Sequence, residues 1–596
     1  MIQKQTQYES FWFKTANNKL CVDTSKLSNF LTDVGFGLYK SAESRLVDMK
    51  LFLNNDGILE PHNNKNVKRF VRKFIEAIPE SEFNTVFQSE DSDEYFRRDI
   101  LGMWKNFTFS KENDRILSDL DIFCDDDFDD IDHELNMFKD SPETAHILFK
   151  NGVVKITKDS IELLPQESIK DEGAVWESEI RNHNIELNDK DDGLFAKFFT
   201  LAMYRQNNDI KDVKDWTEEY ELTDSAKEEL TSLRTAYGYL IHNHNTPEAM
   251  KLIFFIDENS EAGRCEGGNG KSLVMESIQY YKNKAYQDGK KMSADKQFQF
   301  SNVDFDTKFL FIDDITQKFN FESLYSMVTN DMEIENKRVD KFIIPKEKKP
   351  KMGITSNYVL AGTGQSDERR QHIVEFGSYW NRMNQEGEST SDKKHLGSAL
   401  FNWKKDDEEW ISFFNFGFRC VQQYLRTGLQ QSSSGNYKTK SIKLLIEGEG
   451  SNGQGTQWLI DWVMNERLEI DNLEIAEDDL FQKFRQDNID LLEESGGIWS
   501  REFFRKALWI LVDNQKGWYY NQHLARNGNG QSARRWLKGA RGNQTNWLKI
   551  TTDFDKEWKQ YPVAQGGFLP PEMSPEKERF LSDDTDEWIR EFEEAI

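Results

Sequence analysis

The clearest apolar pattern in the chain is a short unbroken run, Leu252-Ile253-Phe254-Phe255-Ile256, that gives way to a polar, glycine-rich segment. A run of this length bounded by turn residues predicts a buried β-strand. A second run, Lys308-Phe309-Leu310-Phe311-Ile312-Asp313-Asp314, predicts another, ending in two carboxylates. A third, Lys351-Met352-Gly353-Ile354, leads into Thr355-Ser356-Asn357. Upstream, FKNGVVKI at 149–156 predicts a strand with an Asn-Gly turn at its start. Helical patterns cover Leu194 to Met203, Asp224 to Ile241 and Leu273 to Tyr281. Trp403, Trp410, Phe414, Phe418, Val421 and Leu425 recur at the spacing of an amphipathic helix over about 400–427.

Punctuation between these patterns predicts the domain organisation. Residues 1–145 are expected to form an N-terminal α+β domain, 146–245 a linker or helical collar, 246–395 a domain built around the glycine-rich segment and 396–470 a helical segment with a linker. Two Ser/Gly-rich stretches within 431–456 mark that linker, and Gly448 to Gly455 has no Lys-Ser/Thr after its last glycine, so it reads as a flexible turn. Residues 471–560 form a helical, winged-helix-like domain with a turn at Ser495-Gly496-Gly497, and 561–596 an acidic tail. No internal repeat is visible.

Composition narrows the class. With 596 residues, 16 Trp and 43 Phe, the chain can bury several cores, and two to four domains are expected. Cys21, Cys124, Cys265 and Cys420 lie far apart, which argues against a zinc ribbon or a disulfide framework. MIQKQTQYES lacks a signal-peptide pattern and no apolar run is long enough to span a bilayer, so a cytoplasmic location is expected. The net charge of −28 excludes a protein whose whole surface binds nucleic acid, while leaving room for a local basic channel.

The glycine-rich segment carries the chemistry. A phosphate-binding loop needs backbone N–H groups turned inward, a lysine for the β/γ-phosphates of ATP and a hydroxyl for Mg²⁺. Gly267, Gly268, Asn269 and Gly270 supply the loop, Lys271 the charge and Ser272 the hydroxyl, between a strand and a helix. The pattern departs from GxxxxGK[ST] at its first glycine, which is Cys265. Asp313 is expected to hold the Mg²⁺ shell and Asp314 to orient the attacking water. Asn357, at the tip of a neighbouring strand, is expected to sense the γ-phosphate or that water.

The order GGNGKS, FLFIDD, GITSN resembles the A, B and C motifs of the superfamily 3 helicases, hexameric motors of viral and phage replication. FKNGVVKI and the 233–240 helix resemble segments upstream of the ATPase in poxvirus- and phage-type primase-helicases. The resemblance covers about 149–380 and implies an AAA+-like P-loop fold. It implies that Arg370 or Arg369, in the segment DERRQHIVEF, reaches the γ-phosphate of a neighbouring subunit. It also places the basic run KRVDKFIIPKEKKPK (337–351) where a hairpin enters a central pore. Lys337, Arg338, Lys341, Lys346, Lys348, Lys349 and Lys351 would then grip single-stranded or forked DNA without regard to sequence.

A second basic segment, 524–549, holds Arg526, Arg534, Arg535, Lys538, Arg541 and Lys549 with Trp536 and Trp547 interleaved. It suits a winged-helix module on duplex DNA, and its aromatics suit a core equally well. The leading expectation is an ATP-dependent DNA helicase or translocase of viral replication, acting as a hexamer. One alternative is a primase-helicase with metal-binding carboxylates such as Asp119 and Asp121 in the acidic run 119–134, which also reads as a solvated loop. The other is an ATP-driven switch or loader that unwinds nothing.

Overall fold

The computed structural model describes residues 7–40, 50–89, 94–109, 119–124, 133–168, 173–190, 192–204, 223–246, 249–258, 267–292, 299–304, 306–316, 324–335, 342–358, 369–381, 400–405, 407–432, 446, 453–467, 472–488, 500–513, 519–520, 536–538 and 544–551. Two compact units emerge, residues 1–359 with 366–435, and residues 360–365 with 436–596. Among the described residues no helix is long and apolar enough to cross a membrane.

The first unit begins with a six-stranded mixed sheet built from strands between Phe36 and Trp176. A core of aromatic and aliphatic side chains, including Phe11, Trp12, Phe30 and Trp104, packs the N-terminal helices against it. Next comes an antiparallel three-stranded sheet over Thr144–Phe149, Gly152–Thr157 and Ile161–Leu164. Phe149 pairs with Gly152 across the predicted Asn-Gly turn.

Two helices follow, α1 (Leu194–Leu201) and α2 (Asp224–Ile241). The Thr223 side chain caps α2 by accepting from the Ala226 amide at 3.3 Å. The central sheet has five parallel strands: β1 (Leu252–Asp257), β2 (Lys284–Asp288), β3 (Phe309–Ile315), β4 (Lys351–Ser356) and β5 (Gln371–Phe376). Their spatial order is β2-β3-β4-β1-β5. Helix α3 (Lys271–Ser277) leaves the glycine-rich segment after β1, and α4 (Glu408–Thr427) packs against α2 and α1. β1 and β4 are buried along their whole length, β1 as its near-continuous apolar sequence requires and β4 despite Lys351, Thr355 and Ser356.

One hydrophobic core runs from Ala145 through α1, α2 and the central strands to Val421 on α4. The expected boundaries at 245 and 395 therefore fall inside a single core. The cause is packing: α4 lies against α2 and α1, and the apolar side chains of all three join those of the central sheet in one core. Phe198 on α1 stacks on Trp380 after β5 at 4.9 Å, and Tyr281 after α3 donates its hydroxyl to the Phe413 carbonyl on α4 at 2.6 Å.

The second unit runs helix–strand–helix–helix–strand–strand–strand: α5 (Gly453–Arg467), β6 (Asn472–Ala476), α6 (Glu477–Asp487), α7 (Arg501–Asp513), β7 (Tyr519–Tyr520), β8 (Trp536–Lys538) and β9 (Gln544–Thr551). β9 pairs antiparallel with β6, β7 and β8. Leu480, Phe484, Phe504 and Leu508 form its helical core. Ser495-Gly496-Gly497, Arg526, Arg534, Arg535, Arg541 and the acidic tail lie outside the described residues.

Candidate functional site

Parallel strands present their C-terminal ends on one edge, and a ligand crevice opens where the strand order reverses. Here β1 lies between β4 and β5, although β2 follows it in the chain. The tips of β1, β4 and β3 are therefore adjacent, and they carry the glycine-rich segment, Asn357 and the carboxylate pair.

The loop backbone has the conformation that its glycines permit. Gly268 has φ +92° and Gly270 φ +90°, in the left-handed region that costs other residues energy. A Cβ on Gly270 would sit 2.5 Å from the Phe198 ring. Thus α1 buttresses the glycine-rich loop, a contact that sequence spacing does not reveal.

The side chains form one continuous hydrogen-bonded chain across the three tips. The Asn381 amide donates to Asn269 Oδ1 at 3.3 Å, and Asn269 Nδ2 donates to Asp257 Oδ1 at 2.8 Å. Lys271 Nζ lies 2.5 Å from Asp257 Oδ2 and donates to Asn357 Oδ1 at 2.9 Å. Asn357 Nδ2 donates to Asp314 Oδ1 at 2.8 Å, and Lys290 forms an ion pair with Asp314 Oδ2. Beside this chain, Ser272 Oγ and Thr355 Oγ1 both donate to Asp313 Oδ1, at 2.7 and 2.6 Å. Tyr286 donates to Asp313 Oδ2 at 3.4 Å.

A break in register between Ile312 and Ile315 separates the roles of the two aspartates. Asp314 has φ +57°, a strained value for a residue with a Cβ, and its amide donates to Thr355 Oγ1 at 2.8 Å. That turn swings Asp314 toward Asn357 while Asp313 faces Ser272. One hydroxyl and one carboxylate side by side suit Mg²⁺, which takes few protein ligands and fills its shell with water and phosphate oxygens.

All the described loop, carboxylate and Asn357 positions expected from sequence meet at this edge. Arg369 and Arg370 do not. Leu252 pairs with Gln371 and Asp257 with Phe376, so Arg370 sits at the opposite end of the sheet, about 17 Å from the loop at ~3.3 Å per residue. Its guanidinium lies 5.4 Å from the centre of the Tyr325 ring, and Arg369 is exposed. Neither arginine reaches its own chain's loop.

The basic run divides. Lys337, Arg338 and Lys341 lie outside the described residues, and Lys346 and Lys348 are partly exposed. Lys349 and Lys351 depart from the expectation of DNA contact, because both are buried. Lys349 Nζ donates to the carbonyls of Met327, Val328 and Asn330 at 2.8, 2.8 and 2.6 Å, closing the end of the short helix Tyr325–Thr329. Lys351 Nζ donates to the Tyr239 carbonyl at 2.9 Å, at the end of α2. Lys282 joins it there, donating to the carbonyls of Leu240 and His242 at 2.6 and 3.2 Å. Each ammonium satisfies carbonyls that the helix leaves unpaired and lies at the negative end of its dipole.

Sequence reasoning passed over Asp257, Lys290 and the Thr355 hydroxyl as functional groups. A carboxylate pair, Asp257-Glu258, directly after the apolar run of β1 was the available signal for Asp257. Nothing local marks Lys290, which reaches Asp314 only because β2 pairs with β3. The carboxylates Asp119 and Asp121 take no part in this site. Among the described residues no group of three or more His, Cys, Asp or Glu is placed to hold a metal ion, and residues 125–132 of the acidic run lie outside them.

No family model matches the chain, and no curated protein matches it. Among solved structures, the apo A form of the NrS-1 C-terminal region is similar at 10% identity and a TM-score of 0.33, over 88% of this chain and 98% of that one. A structure of the same region spanning its residues 305–718 scores 0.34 with the same identity and coverage. JCV helicase bound to a thiazolopyridine acetamide scores 0.18 at 10% identity, over 39% of this chain and 64% of its own. Scores this low transfer no role to this chain.

Proposed function

We propose that the chain is an ATP-hydrolysing motor of the superfamily 3 helicase type, working on DNA in genome replication. The observation that carries this reading is the convergence of Lys271, Ser272, Asp313, Asp314 and Asn357 from three sequence-distant segments onto adjacent strand tips, joined by hydrogen bonds. Triphosphate would lie along the backbone N–H groups of 267–272 at the start of α3, with Lys271 on its β/γ-phosphates. Ser272 and Asp313 would hold Mg²⁺, which neutralises charge developing on the phosphate oxygens. Asp314, carried toward Asn357 by its turn, would accept the hydrogen bond of the attacking water, and Asn357 would fix the angle of that water against the γ-phosphate.

Arg370 can assist hydrolysis only on a neighbouring chain, so this reading requires an assembly, with a hexameric ring as the expected form. In the second unit, the element order and the β6-β9-β7 pairing fit a winged-helix module. Arg501 and Lys506 are exposed on α7, as a nucleic-acid-facing helix requires. One observation favours the rival switch reading: burial of Lys349 and Lys351 removes two of the seven bases expected to grip DNA.

ATP hydrolysis measured with and without single-stranded DNA separates the two. A motor should be stimulated by DNA and lose at least about a hundredfold of its rate in Lys271→Ala, the scale of losing a preorganised charge at the transition state. Arg370→Ala should be inactive alone and regain activity when mixed with Lys271→Ala subunits. Hydrolysis indifferent to DNA would leave the switch.

A further inference from the structure

Asp257 has no part in the hydrolysis just described, yet it sits in the middle of the polar chain. It is the last residue of β1, 1% exposed, and its backbone is fixed by pairing with Phe376. The next amide, Glu258 N, is also held, by the Phe376 carbonyl at 2.9 Å. The carboxylate therefore cannot swing far. It grips the loop with both oxygens, Oδ1 on Asn269 and Oδ2 on Lys271, the lysine itself being 5% exposed.

This arrangement has opposite consequences in the empty and the occupied loop. In the empty loop Asp257 neutralises a buried ammonium and pins Asn269, so the cradle keeps its shape. In the occupied loop, phosphate oxygens within hydrogen-bonding reach of Lys271 Nζ come within about 5 Å of Asp257 Oδ2. Two like charges at that distance in a largely dry site repel. Lys271 then has two anionic claimants and one charge to share.

We propose that Asp257 is a positioning residue that competes with nucleotide phosphate for Lys271, keeping the empty loop ordered and hastening the departure of nucleoside diphosphate. The proposal rests on the nucleotide-site reading above. It is tested in the full-length protein with a fluorescent ADP analogue, measuring equilibrium affinity and dissociation rate. Asp257→Asn keeps the volume and the acceptor for Asn269 while removing the charge. The expected result is tighter ADP binding by about tenfold, the scale of one nearby like charge, with a matching fall in dissociation rate. Asp257→Ser, neutral and smaller, carries the same expected sign if the amide variant does not fold. A merely structural aspartate gives the opposite sign, and unchanged or weaker ADP binding in a folded neutral variant overturns the proposal. Wild-type protein that binds no ADP overturns the nucleotide reading itself, a result distinct from either.

Discussion

The two ends of the five-stranded sheet use the same residue type for opposite purposes. At the C-terminal edge, Lys271 is buried against Asp257 and Asn357, partners that a phosphate group can replace. At the other end, Lys351 and Lys282 are buried against the carbonyls that finish α2, and Lys349 against those that finish a short helix. Backbone carbonyls at a helix end have no alternative partner once buried, so these ammoniums are committed. The difference shows that lysine in a basic run is not evidence of a nucleic-acid surface until its neighbours are known. A phosphate could compete for the lysine at the strand tip, whereas the lysines at the strand starts keep their carbonyl partners and burial lowers the pKa of both Lys351 and Lys282.

Three substitutions test that contrast, in order of expected effect. Gly270→Ala forces a Cβ toward the Phe198 ring at φ +90°, and is expected to abolish nucleotide binding while costing about 2–4 kcal/mol of stability. Calorimetric ADP titration and denaturant unfolding read the two effects, and retained binding would show that α1 does not shape the loop. Lys349→Met is expected to destabilise by about 2–3 kcal/mol through three unsatisfied carbonyls, with the salt dependence of DNA binding unchanged. A variant with wild-type unfolding and weakened DNA binding would return Lys349 to the surface role.

The smallest effect concerns pH. Burial pushes the Lys351 ammonium down to about 7, from the ordinary lysine value near 10.5. Its folded-state value is the lower one, so between about pH 7 and 10 the unfolded chain binds more protons at this site. Lys351 therefore contributes a stability that rises with pH across that window. The slope is at most about 1.4 kcal/mol per pH unit. Lys351→Met should reduce this rise, the remainder coming from Lys282, and parallel wild-type and variant stability curves between pH 7 and 9 would sink the assignment. Among neighbouring groups, burial lowers Lys282 well below the ordinary lysine value and holds His242 down at about 3, and Asp140, hydrogen-bonded to His146, is lowered as well.

Much of the site was legible because the pattern expected of a phosphate-binding loop is local. A glycine-rich turn between strand and helix, and carboxylates at a strand end, are written in contiguous residues, and α2 spans Asp224–Ile241 as its periodicity predicts. Domain boundaries were not legible in the same way. The apolar faces of α1 and α4 announce burial but do not say against what, and the answer is one another, α2 and, through that shared core, the central sheet. The basic run misled for a related reason: Lys349 and Lys351 are close in sequence to exposed bases, yet they flank the start of an interior strand.

By itself the sequence pointed to the central strands, the helices beside them and the side chains proposed here for phosphate and metal chemistry, because hydrophobic period and glycine freedom act over a few residues. Only the tertiary structure decided what each charge meets. Strand order brought Asn357 between Lys271 and Asp314, the turn at Asp314 separated two adjacent carboxylates, and Asp257 acquired a lysine from beyond the loop. Those pairings join residues that sequence spacing does not bring together, and the energy of a charge depends on its neighbours in space far more than on its neighbours in sequence.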